Sequence, residues 1–329
     1  MPVLYLVEQG ATLSREGERL FVRKGGETLL SVPAFQVEGV WVFGNVQLTT
    51  PAISLLLAHG VETCFFTMEG RLKGRLAPIV SRNVPLRLRQ FERYQDEGFR
   101  RRLAAPIVAG KLENARRLIM RYARTYPGPK WERWTIALEQ RIGLARGLPD
   151  LRTLRGIEGS GSAIDFEAFR EMVRGELSFE GRSRRPPRDP VNALLSLGYA
   201  LLTGELIGKI AASGLDPYLG FYHEVRHGRP ALALDLAEEF RHAYIDRFVL
   251  SLVNRRSFGP EDFEQREEDR AVLLRPDALR RYLAAYEAFM GRPVGGGPQT
   301  ARGRLDEQVR RLARAIWSGG EYEPFSMEI

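Results

Sequence analysis

The sequence predicts an α+β chain of two domains: a small β-sandwich-like amino-terminal domain over residues 1–80, and a larger all-α carboxy-terminal domain over residues 81–329. Three observations lead there. With 329 residues and 44% hydrophobic content, the chain can bury one large core or two of ordinary size. Up to residue 80, short β-rich runs alternate with Gly and Asn turn signals. After residue 82 the pattern lengthens into Arg- and Leu-bearing helical segments.

In order, Val3–Val7 runs to Gly10, Leu20–Val22 to Gly25-Gly26, Val40–Phe43 to Gly44-Asn45, and Val61–Thr67 to Gly70. Short apolar runs so bounded read as strands. One helix is expected over Thr50–His59, with Pro51 in its first turn. Helical periodicity then covers 84–104, 106–125, 131–146, 162–176, 190–212, 230–255, 276–290 and 300–317. Residues 177–189, rich in Arg and Pro, read as an exposed loop. Gly291–Pro298 reads as a flexible connection, and the tail from Gly319 as loosely ordered. No internal repeat is visible.

Forty-nine Lys and Arg against 41 Asp and Glu leave a net charge of +8, which favours polyanionic partners and is silent on fold. The basic residues are overwhelmingly Arg, with Lys only at 24, 73, 111, 130 and 209. Guanidinium forks suit phosphate, and a GC-rich genome gives the same bias. Residues 81–130 hold thirteen basic and four acidic residues, a local charge of +9, interleaved with Tyr94, Phe99, Tyr122, Tyr126 and Trp131. This reads either as a face for nucleic-acid backbone or as solvated helix surfaces over an aromatic core. The single cysteine, Cys64, excludes an internal disulfide and any cysteine zinc cluster. No apolar run is read as a membrane span, so a cytoplasmic protein is expected.

The richest stretch is Gly214-Leu-Asp-Pro-Tyr-Leu-Gly-Phe-Tyr-His223, followed by Arg229-Pro-Ala-Leu-Ala-Leu-Asp235-Leu-Ala-Glu238-Glu239-Phe-Arg241. A turn delivers one histidine and a helix presents carboxylates, a mixture that suits Mg²⁺ or Mn²⁺. At about 100° per residue, Asp235, Glu238, Glu239, His242 and Asp246 share one arc, opposite Leu236, Phe240, Tyr244, Phe248 and Leu252. An ordinary amphipathic helix has the same pattern, and the wheel separates neither Glu238 from Glu239 nor either from His242. His227 sits in a Gly/Arg turn and is expected to face solvent or phosphate. Gly156–Gly161 matches neither the dinucleotide fingerprint nor the Walker pattern, and there is no Gly-x-Ser-x-Gly elbow.

Three motifs carry a family resemblance: Arg155-Gly-Ile-Glu158-Gly159 continuing to Phe166; Arg185-Pro-Pro-Arg-Asp-Pro-Val-Asn192-Ala-Leu-Leu-Ser196-Leu-Gly-Tyr199; and the stretch just quoted. Together they resemble the metal-dependent DNase/integrase subunit of CRISPR adaptation, over nearly the whole length. The resemblance implies that Glu158, His223 and Glu238 bind one Mg²⁺ or Mn²⁺. It makes Asp235 an additional catalytic acid and puts Asn192 and Arg241 behind the ligands. It further implies insertion of DNA into a CRISPR array by 3′-hydroxyl transesterification, a homodimer paired through the amino-terminal domain, and a small ferredoxin-like companion protein. Arg182, Arg184, Arg185, Arg188 and Arg226 are expected to contact double-stranded DNA. The chain departs from the family pattern at Asp165, usually Tyr, and at His242, often Pro. Two other readings of the residues stand beside this one: a nuclease of branched DNA in repair, and a non-catalytic DNA-binding scaffold.

Overall fold

The order of apolar side chains decides how the amino-terminal strands are used. The computed structural model describes residues 3–78, 83–183, 186–294 and 297–328. Strands β1 (Val3–Leu6), β5 (Gly39–Phe43), β7 (Glu62–Phe66) and β8 (Leu72–Leu76) form one sheet in the order β1-β5-β7-β8, with only β8 antiparallel. Strands β2 (Thr12–Glu16), β3 (Arg19–Lys24), β4 (Glu27–Pro33) and β6 (Gln47–Leu48) form a second, ordered β4-β3-β2-β6. Helix α1 (Thr50–Ala58) begins at Thr49, whose hydroxyl accepts the Ala52 N–H.

All five residues of β5 are buried, because both faces of its sheet are covered. Val40 and Val42 join Leu6, Leu13, Leu20, Val22 and the apolar residues of α1 in one cluster. Trp41 and Phe43, pointing the other way, join the main core with Phe66 and the helices that follow. The amino-terminal sheet is therefore half of a contact with the helical region. Tyr5 Oη and the Val3 N–H reinforce it by donating to the Glu287 carboxylate at 3.0 and 3.1 Å. The expected boundary at 80/81 lies outside the described residues.

The helical region comprises α2 (Val84–Gln95), α3 (Glu97–Thr125), α4 (Lys130–Arg146), α5 (Leu151–Met172), α6 (Pro190–Ser213), α7 (Ala231–Phe240), a π-helical segment (Arg241–Asp246), α8 (Arg247–Asn254), α9 (Pro276–Met290) and α10 (Ala301–Ser318). It is not purely helical: β9 (Phe263–Gln265) and β10 (Val272–Leu274) make an antiparallel hairpin, too short and charged to register as strands in sequence. Pro106 does not break α3, whose start is instead set at Asp96, where Oδ1 accepts the Phe99 N–H at 2.9 Å. Helix α5 begins eleven residues before its expected start, capped by Asp150, which accepts the Arg152 and Thr153 N–H groups. Its glycines masked that start, since glycine is a poor helix former.

Two further expectations change. Helix α6 is long and apolar enough to cross a membrane by length and composition, but most of it is buried inside the fold, so its apolar length serves the core. The tail beyond Gly319 is ordered, with Tyr322 and Met327 buried. Glu239 explains this: its carboxylate accepts from Tyr322 Oη at 2.6 Å and the Phe325 N–H at 2.7 Å.

Candidate active site

Every polar residue on the helical arc read from sequence as a possible solvated face, namely Asp235, Glu238, Glu239, His242 and Asp246, is buried. They point to different partners. Glu239 holds the tail. Asp235 turns to the loop before α7, where Oδ2 accepts the Phe221 and Tyr222 N–H groups at 2.6 and 3.0 Å. Its Oδ1 accepts the His223 N–H at 2.8 Å and lies 2.7 Å from His223 Nδ1. Both oxygens of Asp235, expected as an additional acid of the site, are thus engaged with the loop and the His223 ring. A carboxylate behind the ring fixes the proton on Nδ1 and leaves Nε2 as a free donor atom.

The loop carrying His223 is held from several sides. Buried Gln90 donates to the Asp216 and Leu219 carbonyls at 2.9 Å and accepts the Asp216 N–H at 2.8 Å. Arg100 Nε donates to the Phe221 carbonyl at 3.3 Å. Gly220 allows the closure: a Cβ there would sit 2.6 Å from the Ala231 carbonyl carbon and 2.8 Å from Asp235 Oδ2.

His223 Nε2 faces Glu238 Oε1 at 3.9 Å. Glu238 Oε1 also accepts from the Arg241 guanidinium at 3.0 Å. The other oxygen, Oε2, is buried without a hydrogen-bond partner and lies 2.7 Å from the Lys111 ammonium. That ammonium also contacts Glu158 Oε1, which accepts from Ser162 Oγ at 3.0 Å. Lys111 came from the basic window of the sequence, but nothing in spacing set it apart from the Arg residues around it. Burial separates them: its side chain is only 4% exposed, whereas Arg121 and Arg124 lie at the surface. Gly161 brings Lys111 and Glu158 together, because any Cβ there would overlap the Leu112 side chain and push α5 off α3.

Glu158 and Glu238 therefore meet at one lysine ammonium, and His223 Nε2 faces the other oxygen of Glu238. Burial opposes ionisation of Glu238, yet Arg241, Lys111 and His223 outweigh it and hold the carboxyl well below its ordinary value. Glu158 is shifted the same way, burial being overcome chiefly by Lys111. Two carboxylates and an imidazole Nε2 suit a hard divalent cation. The cation already between the carboxylates shows that the donor set accepts positive charge there. With the ammonium between them, the three side chains stand wider apart than the ligands of a single ion. Among the described residues, the one group of three whose ligand atoms all lie within 4.8 Å is Asp165, His242 and Asp246.

The remaining expected residues divide. Arg241 stacks on Tyr199, 4.2 Å from the ring centroid, while paired with Glu238. Asn192 touches none of the three candidate ligands. It caps the arginine loop, accepting from Arg182 at 2.6 Å and the Ser183 N–H at 3.0 Å and donating to the Gly181 carbonyl at 2.7 Å. Arg182, half-buried, also donates to Ser196 Oγ at 3.2 Å. Arg188 is exposed and donates to the Asp269 carbonyl at 2.9 Å; Arg226 is exposed and paired with Glu224 at 2.6 Å. Arg184 and Arg185 lie outside the described residues. Within 81–130, Arg116 and Arg117 pair with Glu113. Sequence reasoning missed one cationic cluster: Arg121, Arg247 and Arg292, from three separate elements, have no carboxylate partner among the described residues. Burial and the other two arginines lower the Arg247 pKa.

A β-rich amino-terminal region packed on a larger helical region, with two carboxylates and an oriented imidazole at the centre, defines a class of fold and site suited to a hard cation. Comparison with known proteins narrows it. The family described as "CRISPR associated protein Cas1" matches residues 4–288. A CRISPR-associated endonuclease Cas1 of Thermus thermophilus is 38% identical over 99% of this chain and 97% of its own. A solved Cas1 protein from Thermotoga maritima superposes with a TM-score of 0.81 at 26% identity, over 99% of this chain and all of its own. A casposase bound to integration product shares the fold, with a TM-score of 0.84 at 24% identity, over 99% of this chain and 93% of its own. The chain belongs to the Cas1 family.

Proposed function

We propose that this chain is a metal-dependent DNA endonuclease and integrase that inserts DNA into a CRISPR array by transesterification. The observation that carries the proposal is the meeting of Glu158 and Glu238 at a single buried cation, with His223 Nε2, oriented by Asp235, facing Glu238. These three residues would hold Mg²⁺ or Mn²⁺. The ion would activate a 3′-hydroxyl or water and neutralise charge on the attacked phosphate.

The chain's own residues do the rest. Asp235 keeps the proton on Nδ1, so Nε2 is presented as a donor. Arg241, fixed between Tyr199 and Glu238, offsets the charge of Glu238 from behind. Glu238 lies at the floor with 8% exposure, while Glu158 and His223 stand at 24% and 17%; the site thus opens on their side, where substrate would approach. Arg155, three residues before Glu158, reaches the same rim and pairs with Glu224 at 3.2 Å. Exposed Arg188 and Arg226 and the Arg121/Arg247/Arg292 cluster supply cations for a duplex backbone, contacts that position DNA without reading it.

The amino-terminal region, read as sandwich-like and as a domain ending near residue 80, would pair two copies. Leu29, Leu30 and Phe35 are exposed on β4 and just after it, the apolar surface such pairing needs. A ferredoxin-like companion is proposed on the family resemblance.

The test is a joining assay. Supercoiled plasmid and a short duplex with free 3′-hydroxyls, with the companion protein, should give covalently joined DNA that requires Mg²⁺ or Mn²⁺ and no ATP. A blocked 3′-end should abolish joining and leave DNA binding intact. Hydrolysed fragments without joined product would overturn the integrase reading and leave a nuclease.

A further inference from the structure

One cluster of ionisable groups takes no part in the site just described. Asp165 on α5 and His242 and Asp246 on the π-helical segment are all buried, each at 3% exposure or less. His242 Nδ1 lies 2.7 Å from Asp246 Oδ2 and 3.6 Å from Asp165 Oδ2. Asp246 is served on both oxygens, by His242 Nδ1 and by the Tyr199 hydroxyl, but both oxygens of Asp165 and Nε2 of His242 have no hydrogen-bond partner. A buried polar group without a partner costs stability, and the fully buried Asp165 carboxylate beside the His242–Asp246 pair needs one.

We propose that Asp165, His242 and Asp246 form a second, buried site for a divalent transition metal, with Zn²⁺ as its occupant. Charge argues for it. Two carboxylates and an imidazolium leave a net buried negative charge, whereas two carboxylates, a neutral imidazole and M²⁺ sum to zero. Burial pushes the Asp165 carboxyl up to about 6 despite the neighbouring imidazole. Burial also opposes charging of His242, but Asp165 and Asp246 outweigh it and raise its pKa. Lys111 and Arg241 are the other charged groups acting on the cluster.

Ligand chemistry selects the ion. Mg²⁺ sheds water reluctantly and prefers to keep several waters, which side chains buried to this extent do not favour. Zn²⁺ accepts four-coordinate imidazole and carboxylate sets, and Tyr199, already bonded to Asp246, orients one ligand as outer-sphere partners do. The π-helical geometry adds weight, since such interruptions occur frequently at functional sites. Asp165 follows Glu158 by seven residues on α5, about 10 Å along the helix, too far for a two-metal catalytic pair, whose ions stand roughly 4 Å apart. The site is a staple joining α5 to the π segment. It holds the helices carrying Glu158 and Glu238 at a fixed separation.

The experiment uses tag-free full-length protein expressed with added Zn²⁺ and washed with EDTA to strip surface ions. Metal content is measured by mass spectrometry for the wild type, for a His223→Ala/Glu238→Gln variant that disables the other site, and for Asp165→Asn. About one Zn²⁺ per chain should remain in the first two and nearly none in the third, as expected of a closed structural site. Zn K-edge absorption of the His223→Ala/Glu238→Gln variant should show only N/O ligands, including an imidazole. This measurement decides the matter even if Asp165→Asn does not fold. Zinc that survives Asp165→Asn, zinc lost from a folded His223→Ala/Glu238→Gln variant, or a ligand shell without imidazole would each overturn the proposal and return the cluster to a metal-free His–Asp ion triad.

Discussion

Replacing Lys111 with Met tests whether the lysine ammonium and the divalent cation compete for one place. Methionine keeps the volume of the stem and removes only the charge. In the wild type the ammonium touches Glu158 and Glu238, with the lysine side chain 4% exposed and the carboxylates 24% and 8% exposed. Removing one partner of a buried ion pair costs about 3–5 kcal/mol. Glu158 can turn its charge partly to water, which places the loss near the lower limit. For a chain longer than 250 residues, roughly 3 kcal/mol lowers Tm by about 5 °C. That loss is expected in EDTA. With Mn²⁺ the sign reverses, since an ion entering the wild-type site must first displace the ammonium. A displacement of roughly 3 kcal/mol corresponds to about 100-fold in affinity.

The assay is calorimetric titration with Mn²⁺, paired with thermal unfolding in EDTA and in Mn²⁺. Lys111→Met should melt lower than wild type in EDTA, bind Mn²⁺ tens of times more tightly, and recover most of its Tm when saturated. Lys209→Met, which breaks the Lys209–Asp306 pair at 2.8 Å remote from the site, should leave Mn²⁺ affinity unchanged. A folded Lys111→Met protein whose Mn²⁺ affinity is equal to or weaker than wild type would refute the reasoning. Lys111 would then be part of the binding arrangement rather than a competitor.

Three further outcomes follow from the same geometry. Asp235→Asn removes the charge and one of the two acceptor oxygens that fix the loop and the His223 ring, and should weaken Mn²⁺ binding by about 10- to 100-fold in calorimetry. Replacing Arg121 and Arg247 together with Ala should weaken binding to all duplexes alike and reduce the slope of log affinity against log salt by roughly one per lost phosphate contact; an unchanged slope would return them to ordinary surface. Burial pushes the Glu239 carboxyl from 4.5 up to about 8, with the Phe325 N–H and Tyr322 hydroxyl pulling the other way. Between these values the folded chain holds a proton that the unfolded chain has released, so stability falls as pH rises from about 4.5 to about 8 and is level above. Glu239→Gln cannot titrate and should give a flatter Tm profile over pH 5–9; a profile parallel to wild type would count against this.

Much of the fold was legible because the longer segments obey one period each. The helices over 190–213, 276–290 and 301–318 fall within a residue or two of their expected limits. What failed did so for local reasons. The strands at Thr12–Glu16, Glu27–Pro33 and Leu72–Leu76 interrupt their apolar residues with polar, charged or glycine residues, so they lack a long apolar run. The glycines over 156–161 hid a helix because glycine is a poor helix former; Gly161 lies close against Leu112 of α3, a contact that only the third dimension reveals. The candidate ligands were named through motif resemblance. The helical wheel could not have chosen among them, because α7 and the π segment are covered on every side and the wheel assumes one wet face. Lys111 was invisible for a related reason. A buried lysine and an exposed one are written with the same letter, and only packing distinguishes a counter-charge from a solubilising one.

The same packing shows why so much charge is tolerated at the centre of the molecule. Lys111, Glu158, Glu238 and Arg241 come from α3, α5, α7 and the start of the π segment, and each meets an opposite charge across an inter-helical boundary or along the turn. An apolar replacement of similar volume at such positions is often as stable or more so, so the charges are not explained by stability. They do impose geometry. Three helices cannot slide past one another without parting a buried ion pair, and parting it leaves a desolvated charge. The arrangement therefore resists the sub-ångström drift that would spoil a site requiring two carboxylates and an imidazole at fixed separations. Asp235 does the same for the loop, binding three successive backbone N–H groups and the His223 ring with one carboxylate. A chain selected for stability alone would fill this space with leucine. One that must hold a cation against phosphate keeps its own cation there until the other arrives.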